Sequence, residues 1–303
     1  MTANPMPATV TERVRTYASF VRFEHTLFSL PLILAGVFSV PGPAMSAARW
    51  ALVAVAAVGA RTAAMALNRL IDRRLDALNP RTQVRELPSG RMRGAEAWAL
   101  FAVSVAAYVA ACAALGPWYL RVSPVPLAVF TLYPYLKRFT PLCHAGVGLA
   151  LALAPLAGYA AAHPDLATPR PAGLLAAFAF VWVTGFDIIY ATLDEAFDRA
   201  HGVHSMVAWL GRGRALALSA GLHRSAQLIL LALVFNLIRV GGARPPLVVW
   251  LPAMAAWAGA AALLELEQRW AENVNLAFFK VNVWVGALVL VLVLAARATT
   301  GGF

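Results

Sequence analysis

"NRLIDRRLDALNPRTQVRELPSG", residues 68–90, directly follows "ALVAVAAVGARTAAMAL", residues 51–67, in which Arg61 is the one charged residue. The upstream run reads as a helix made for lipid, since about 20 apolar residues cross the hydrocarbon layer. Its continuation is the opposite: Asn68, Asp72 and Asp76 recur every four residues, and seven arginines crowd positions 69–93. A four-residue spacing stacks side chains on one helical face. Arg61 precedes Asn68 by two turns and faces the same way. Carboxylates sit badly at a helix C-terminus, where the dipole is already negative. Near lipid they also cost several kcal/mol unless paired, hydrated or bound to metal. Mg²⁺ supplies the compensation, because it favours one or two carboxylates plus water and substrate phosphate oxygens. The neighbouring arginines can hold the same phosphates through bidentate hydrogen bonds.

The rest of the chain sets this stretch in a bilayer. Of 303 residues 61% are hydrophobic and 13% charged, and the mean hydropathy is +0.69; a soluble domain carries about a quarter charged residues. Apolar runs fall near 24–42, 48–67, 95–115, 121–136, 143–162, 172–193, 215–238, 245–264 and 276–297. They predict an all-α polytopic membrane protein of about nine transmembrane helices, with kinks at Pro31 and Pro155. The segment "ARPPLVVWLP" at 243–252 reads as a turn into the eighth span. Residues 1–20 are polar and show no cleavable signal pattern. The whole chain reads as one membrane-embedded domain. Polar loops after the second and sixth helices hint at an internal four-helix repeat, about 20–138 and 143–266.

Placing the N-terminus in the cytosol puts 18 Lys and Arg residues on the cytosolic side and 6 opposite. That asymmetry follows the positive-inside rule and predicts a bacterial-type inner membrane with the basic surface facing the cytosol. The net charge of +11 comes from 23 Arg and two Lys gathered at helix ends rather than on one face or tail. This argues against nucleic acid and for anionic lipid and a phosphorylated substrate. Cys112 and Cys143 have no metal-ligand spacing and read as small core residues. The six histidines offer no metal pair either; His201 and His204 read as polar loop residues.

A second acidic stretch, "GFDIIYATLDEAFDRAHGVHS" at 185–205, repeats the pattern four helices later. Asp187, Asp194 and Asp198 are spaced seven and four, again on one face, with Tyr190 beside them. Asp187 lies well inside its apolar run. The plainer alternative pairs these acids with Arg69, Arg73, Arg74 and Arg199 in a solvated interfacial network. Two clusters with the same spacing at corresponding helix ends argue against it.

These residues together resemble the UbiA superfamily of intramembrane prenyltransferases, whose first signature, N-x-x-x-D-x-x-x-D, is followed by a basic loop ending in an "RPLPSG"-like stretch. Asn68, Asp72 and Asp76 match it, followed by "NPRTQVRELPSG", with Glu86 where many members have proline. The second signature, D-x-x-Y-x-x-x-D-x-x-x-D, is matched by Asp187, Tyr190, Asp194 and Asp198. "YPYLKR", with Tyr133, Lys137 and Arg138, is similar to the family's motif after the fourth helix, and "RFEHTLFSLPLILAG" to its opening. The resemblance implies nine helices around a central cavity, with the active site at their cytosolic ends. Asp72, Asp76, Asp194 and Asp198 would bind Mg²⁺ on a polyprenyl diphosphate, and an allylic cation would alkylate an aromatic ring. Asn68 would contact the diphosphate or the metal shell, and Lys137 and Arg138 the diphosphate oxygens, with Tyr133 alongside. Asp187 would orient Lys137, Arg61 or the acceptor, or take the ring proton; Tyr190 would contact the acceptor or the cation. Arg22 and Arg61 are candidates to pair with an acceptor carboxylate.

The branch most resembled uses 4-hydroxybenzoate or 1,4-dihydroxy-6-naphthoate in ubiquinone or menaquinone synthesis. Acceptors such as haem, chlorophyll side chains, homogentisate or glycerol-phosphate lipids belong to the same class. A secondary transporter would place its acids near the midplane on broken helices, whereas these gather at one face. A non-catalytic assembly subunit would have no use for the doubled Asp pattern. Oligomeric state and prenyl length are not written in the chain.

Overall fold

A computed structural model of the chain describes residues 9–22, 26–240, 247–271 and 274–298. Its elements are α1 (Val10–Phe20), α2 (Thr26–Val37), α3 (Ala47–Leu78), α4 (Gly94–Leu115), α5 (Pro117–Val122), α6 (Pro124–Leu136) and α7 (Cys143–Ala162). There follow α8 (Arg170–Ala191), a single 3-10 turn (Thr192–Asp194), α9 (Glu195–Ala200), α10 (Met206–Leu210), α11 (Arg212–Val240), α12 (Leu247–Arg269) and α13 (Val274–Ala298). No strand occurs among the described residues.

Among the described residues, six helices are long and apolar enough to cross a membrane. The expected count of nine also counts α2, α6 and α12, which lie where spans were drawn but are not among those six. Two boundaries differ from the sequence reading. The second span does not stop at its last apolar residue: α3 runs unbroken for 32 residues, about 48 Å at 1.5 Å per residue. It is therefore longer than the ~30 Å hydrocarbon layer, and its last turns carry Asn68, Asp72 and Asp76 on helical backbone. The fourth span is broken at Ser123, whose hydroxyl donates to the Leu120 carbonyl at 2.9 Å, and Pro124 begins α6. Within the polar N-terminal segment α1 forms, started by Thr9 and Glu12, which cap each other's backbone N–H groups. Residues 241–246, read as part of the turn into the eighth span, lie outside the described residues.

The helices pack chiefly as α3 on α4, α7 on α8 and α2, α8 on α11, α13 on α12 and α2, and α6 on α3 and α7. The core lies among α8, α11, α12 and α13. Trp182 is fully buried there, stacked on Phe178 with ring centroids 5.2 Å apart and donating its indole N–H to Asn282 at 3.0 Å. Large apolar side chains such as Val103, Leu228 and Leu251 face outward, as a lipid solvent allows.

α2 and α7 meet backbone to backbone. A Cβ built on Gly36 would stand 2.0 Å from the Pro155 carbonyl oxygen, and one on Gly158 would stand 2.0 Å from that of Ile33. Such contact requires small residues on membrane helices. Gly36→Ala or Gly158→Ala is expected to cost about 1–3 kcal/mol, since main chain must shift. Gly173→Ala, where a Cβ meets nothing within 4 Å, serves as the control. Thermal unfolding in detergent checks this: equal midpoints for all three variants would contradict the close approach.

Candidate active site

The last turns of α3 bury Asp72 and Asp76, which are 2% and 6% exposed. Each finds a cation. Lys137, just past the end of α6, brings Nζ to 2.5 Å from Asp72 Oδ2, with Arg138 Nη2 3.7 Å from Oδ1. Arg138 also donates to the Ile71 carbonyl at 3.0 Å, so α6 is fastened to α3 at this level. Asp76 receives Arg85 Nη1 at 2.7 Å, with Arg69 Nη1 at 4.0 Å.

Arg85 reaches back because the chain reverses after α3. Asn79 ends the helix, its side-chain oxygen accepts from the Arg81 N–H at 2.9 Å, and Thr82 Oγ1 donates to the Asp76 carbonyl at 3.1 Å. The same reversal carries Arg81 to the second acidic stretch. There its guanidinium grips both oxygens of Asp194 and donates to the Tyr190 hydroxyl at 2.6 Å. It lies 4.8 Å from that ring's centroid. Asn79 Nδ2 adds a bond to Asp194 Oδ1 at 2.8 Å. Burial alone would weaken the Arg81 charge, but Asp194 and Tyr190 outweigh it and hold the guanidinium above its ordinary value. Asp198 is buried one turn further on, and its carbonyl accepts from the Val203 N–H at 2.9 Å. The two Asp motifs are thus one constellation, joined by Arg81 and Asn79.

Deeper in the bundle Tyr133 sits within electrostatic reach of Asn68, Asp72, Asp187 and Arg61. Arg61 Nη2 donates to the Arg22 carbonyl at 3.0 Å; Arg22 has φ +48°, which turns the chain between α1 and α2. Asp187 does not pair with Lys137, which goes to Asp72. Its partner is His144, in the first turn of α7, with Nδ1 2.6 Å from Oδ2.

All the acids, amides and aromatics singled out in the sequence come to this end of the bundle, but three of the expected charge partners do not pair with the acids of the two motifs. Arg199 pairs with Glu195 on its own short helix at 2.8 Å. Arg73 and Arg74 are exposed and line, with Lys137, Arg138 and residues 201–203, a cavity of about 530 Å³. The actual partners, Asn79, Arg81, Arg85 and His144, went unassigned in the sequence. "NPR" immediately after the acidic face was a visible signal for Asn79 and Arg81. For His144 the signal was one imidazole in the first turn of an otherwise apolar helix, 4% exposed in the fold. His201 stacks on Phe197 with centroids 4.1 Å apart, a loop contact in keeping with its reading.

Two buried carboxylate oxygens, Asp72 Oδ1 and Asp76 Oδ2, have no hydrogen-bond partner. They lie one turn apart on one face, the donor set Mg²⁺ takes when substrate phosphates complete its shell. No group of three or more His, Cys, Asp or Glu able to hold a metal by itself occurs among the described residues. The residues fit a metal that arrives with an anionic ligand.

Comparison with known proteins gives a consistent picture. The family pattern that matches, over residues 29–284, is that of the UbiA prenyltransferase family. The 4-hydroxybenzoate octaprenyltransferase of Azotobacter vinelandii (strain DJ / ATCC BAA-1303) is 36% identical over 151 residues, half of each chain. Among solved structures, the apo form of a UbiA homolog from Aeropyrum pernix K1 superposes with TM-score 0.78 and 36% identity, covering 88% of this chain and 95% of that one. A UbiA homolog from Archaeoglobus fulgidus, solved with GPP and Mg²⁺ bound, shares the fold with TM-score 0.66 at 17% identity, over 93% of this chain and 99% of that one.

Proposed function

Because the chain belongs to the UbiA prenyltransferase family, we propose that it transfers a polyprenyl group from polyprenyl diphosphate to an aromatic acid, 4-hydroxybenzoate or 1,4-dihydroxy-6-naphthoate, with Mg²⁺. The observation that carries the reading is the joined acidic constellation: two Asp motifs far apart in sequence, clamped by Arg81 and Asn79, with two buried carboxylate oxygens on α3 that lack a hydrogen bond.

Each group has a task in that reaction. Asp72 and Asp76, together with Asp194 and Asp198, would hold the metal on the diphosphate. Bound there, Mg²⁺ would neutralise charge developing on the leaving diphosphate. Arg81, Arg85, Lys137 and Arg138 exchange carboxylate for phosphate oxygens as the substrate enters, so cations wait where the charge develops. The C1–O bond breaks with its electron pair leaving on the diphosphate. The ring carbon of the acceptor bonds to C1, and its proton passes to Asp187. Tyr133 and Tyr190 border the path of the cation, Asn68 stands beside Tyr133, and the surrounding apolar helices keep water away. Arg22 and Arg61 receive the acceptor carboxylate. The site faces the cytosol of a bacterial-type inner membrane, in line with the basic asymmetry of the loops.

The test is direct. Membranes containing the protein, Mg²⁺ and labelled polyprenyl diphosphate are given each acid in parallel, and the lipid extract is separated. Labelled prenylated product from one acid is expected. Intact diphosphate with both would overturn the aromatic-acid reading and direct the search to other acceptors.

A further inference from the structure

We propose that His144 is a positioning residue for Asp187, and that its tautomer is set by the backbone N–H of Met206, so that the loop closing the diphosphate side also aims the acid on the acceptor side. This rests on the transferase reading above.

Met206 N lies 3.2 Å from His144 Nε2, and a backbone N–H can only donate. Nε2 is therefore a lone-pair acceptor, the ring is neutral, and its proton sits on Nδ1. That proton points at Asp187 Oδ2, 2.6 Å away. Asp187 is held as an acceptor by one oxygen, and its side chain keeps 26% of its surface exposed. A fixed carboxylate with its second oxygen uncommitted to the imidazole suits a group that must receive a proton from a bound ring.

Met206 ends a short strap, residues 203–206, that touches the site. Val203 donates its N–H to the Asp198 carbonyl at 2.9 Å, and His204 donates its N–H to the Lys137 carbonyl at 2.8 Å. The His204 carbonyl accepts from Cys143 Sγ at 3.3 Å. Met206 fixes His144. Residues 203–206 thereby join Lys137 and Asp198, which serve the diphosphate, to Asp187, which serves the acceptor.

Two substitutions test this. Met206→Pro removes the one N–H: Met206 is the first residue of α10, where proline is accommodated, and Ser205 is extended at φ −117°, ψ 159°, as a residue before proline should be. His144→Gln keeps both contacts, because an amide can donate to Asp187 and accept from Met206. His144→Ala is expected to lower kcat at least about tenfold with the KM for prenyl diphosphate little changed. His144→Gln should recover most of the rate, Met206→Pro should fall as His144→Ala does, and the Ala/Pro double variant should be no slower than the slower single. Full activity of His144→Ala, or multiplicative losses in the double variant, would overturn the proposal.

A spectroscopic arm separates this from the reading beneath it. Ring-¹⁵N histidine spectra in lipid nanodiscs should show one Nδ1–H, Nε2-bare imidazole that vanishes in His144→Gln and shifts in Met206→Pro. An Nε2-protonated His144 would overturn the arrangement. The expected tautomer in a protein that prenylates neither acid would overturn the assigned reaction, and Asp187's part in it, while leaving the arrangement standing.

Discussion

Asp72→Asn is expected to cut prenyl transfer by about 10³-fold while the protein still inserts and purifies; loss of a preorganised charge at a reacting diphosphate is worth factors of this size. Asparagine has nearly the same shape, so the packing of α3 survives. What it lacks is charge. Asp72 holds Lys137 at 2.5 Å and Arg138 at 3.7 Å, and its Oδ1 is one of the two buried oxygens left for a metal. The amide offers the metal a single weaker oxygen and turns an N–H₂ toward one side or the other. Removing one partner of a buried ion pair can itself cost about 3–5 kcal/mol. Here the cost is smaller, because Lys137 is 28% exposed and can turn to water. Transfer from labelled polyprenyl diphosphate, normalised to protein in the membrane, is the measurement. A near-normal rate would remove Asp72 from the site.

Stripping divalent cations should stop transfer altogether, and Mg²⁺ should restore it. The reason is charge balance. Asp72, Asp76 and Asp194 each already face a basic side chain. The cations that touch these acids are therefore engaged before a diphosphate arrives. An arginine that turns to phosphate leaves an acid behind it uncompensated, and a divalent ion resolves both needs at once. EDTA followed by a Mg²⁺ titration reads this out as product formed. Transfer indifferent to chelation would mean that the arginines alone activate the leaving group.

Much of this fold could be read from the chain because lipid imposes long apolar runs and because a four-residue spacing is a face. The acids of α3 and of the 187–198 stretch were legible for that reason. Their partners were not. Asn79 and Arg81 meet Asp194 only because the chain reverses after Leu78, and a contact spanning more than a hundred residues leaves no periodic trace. Arg69, Arg73 and Arg74, nearest in sequence, looked the natural counter-charges. On a helix, however, neighbours at one or two positions point away from one another, so Arg74 faces outward; Arg73, three positions from Asp76, is exposed as well, and Asp76 takes Arg85 instead. His144 was hidden by the opposite effect: a single polar residue on an apolar helix reads as a satisfied core group until its two neighbours are known. The break at Ser123 escaped because Pro124 at the start of a helix and a proline inside one look alike in a hydropathy trace.

The overreach of α3 changes the meaning of substrate concentration. Its acids stand near the end of a helix of 32 residues, while in the proposed reaction the polyprenyl tail would stay dissolved in the bilayer. That reaction would be confined to a surface, and donor molecules per unit area of membrane, not per litre, would govern how often the site fills. Adding inert lipid at constant donor and protein would dilute the donor as surely as adding water dilutes a soluble one. The proposed aromatic acid would come from the bulk and feel no such dilution. The two substrates of one active site thus answer to different geometries, one of two dimensions and one of three.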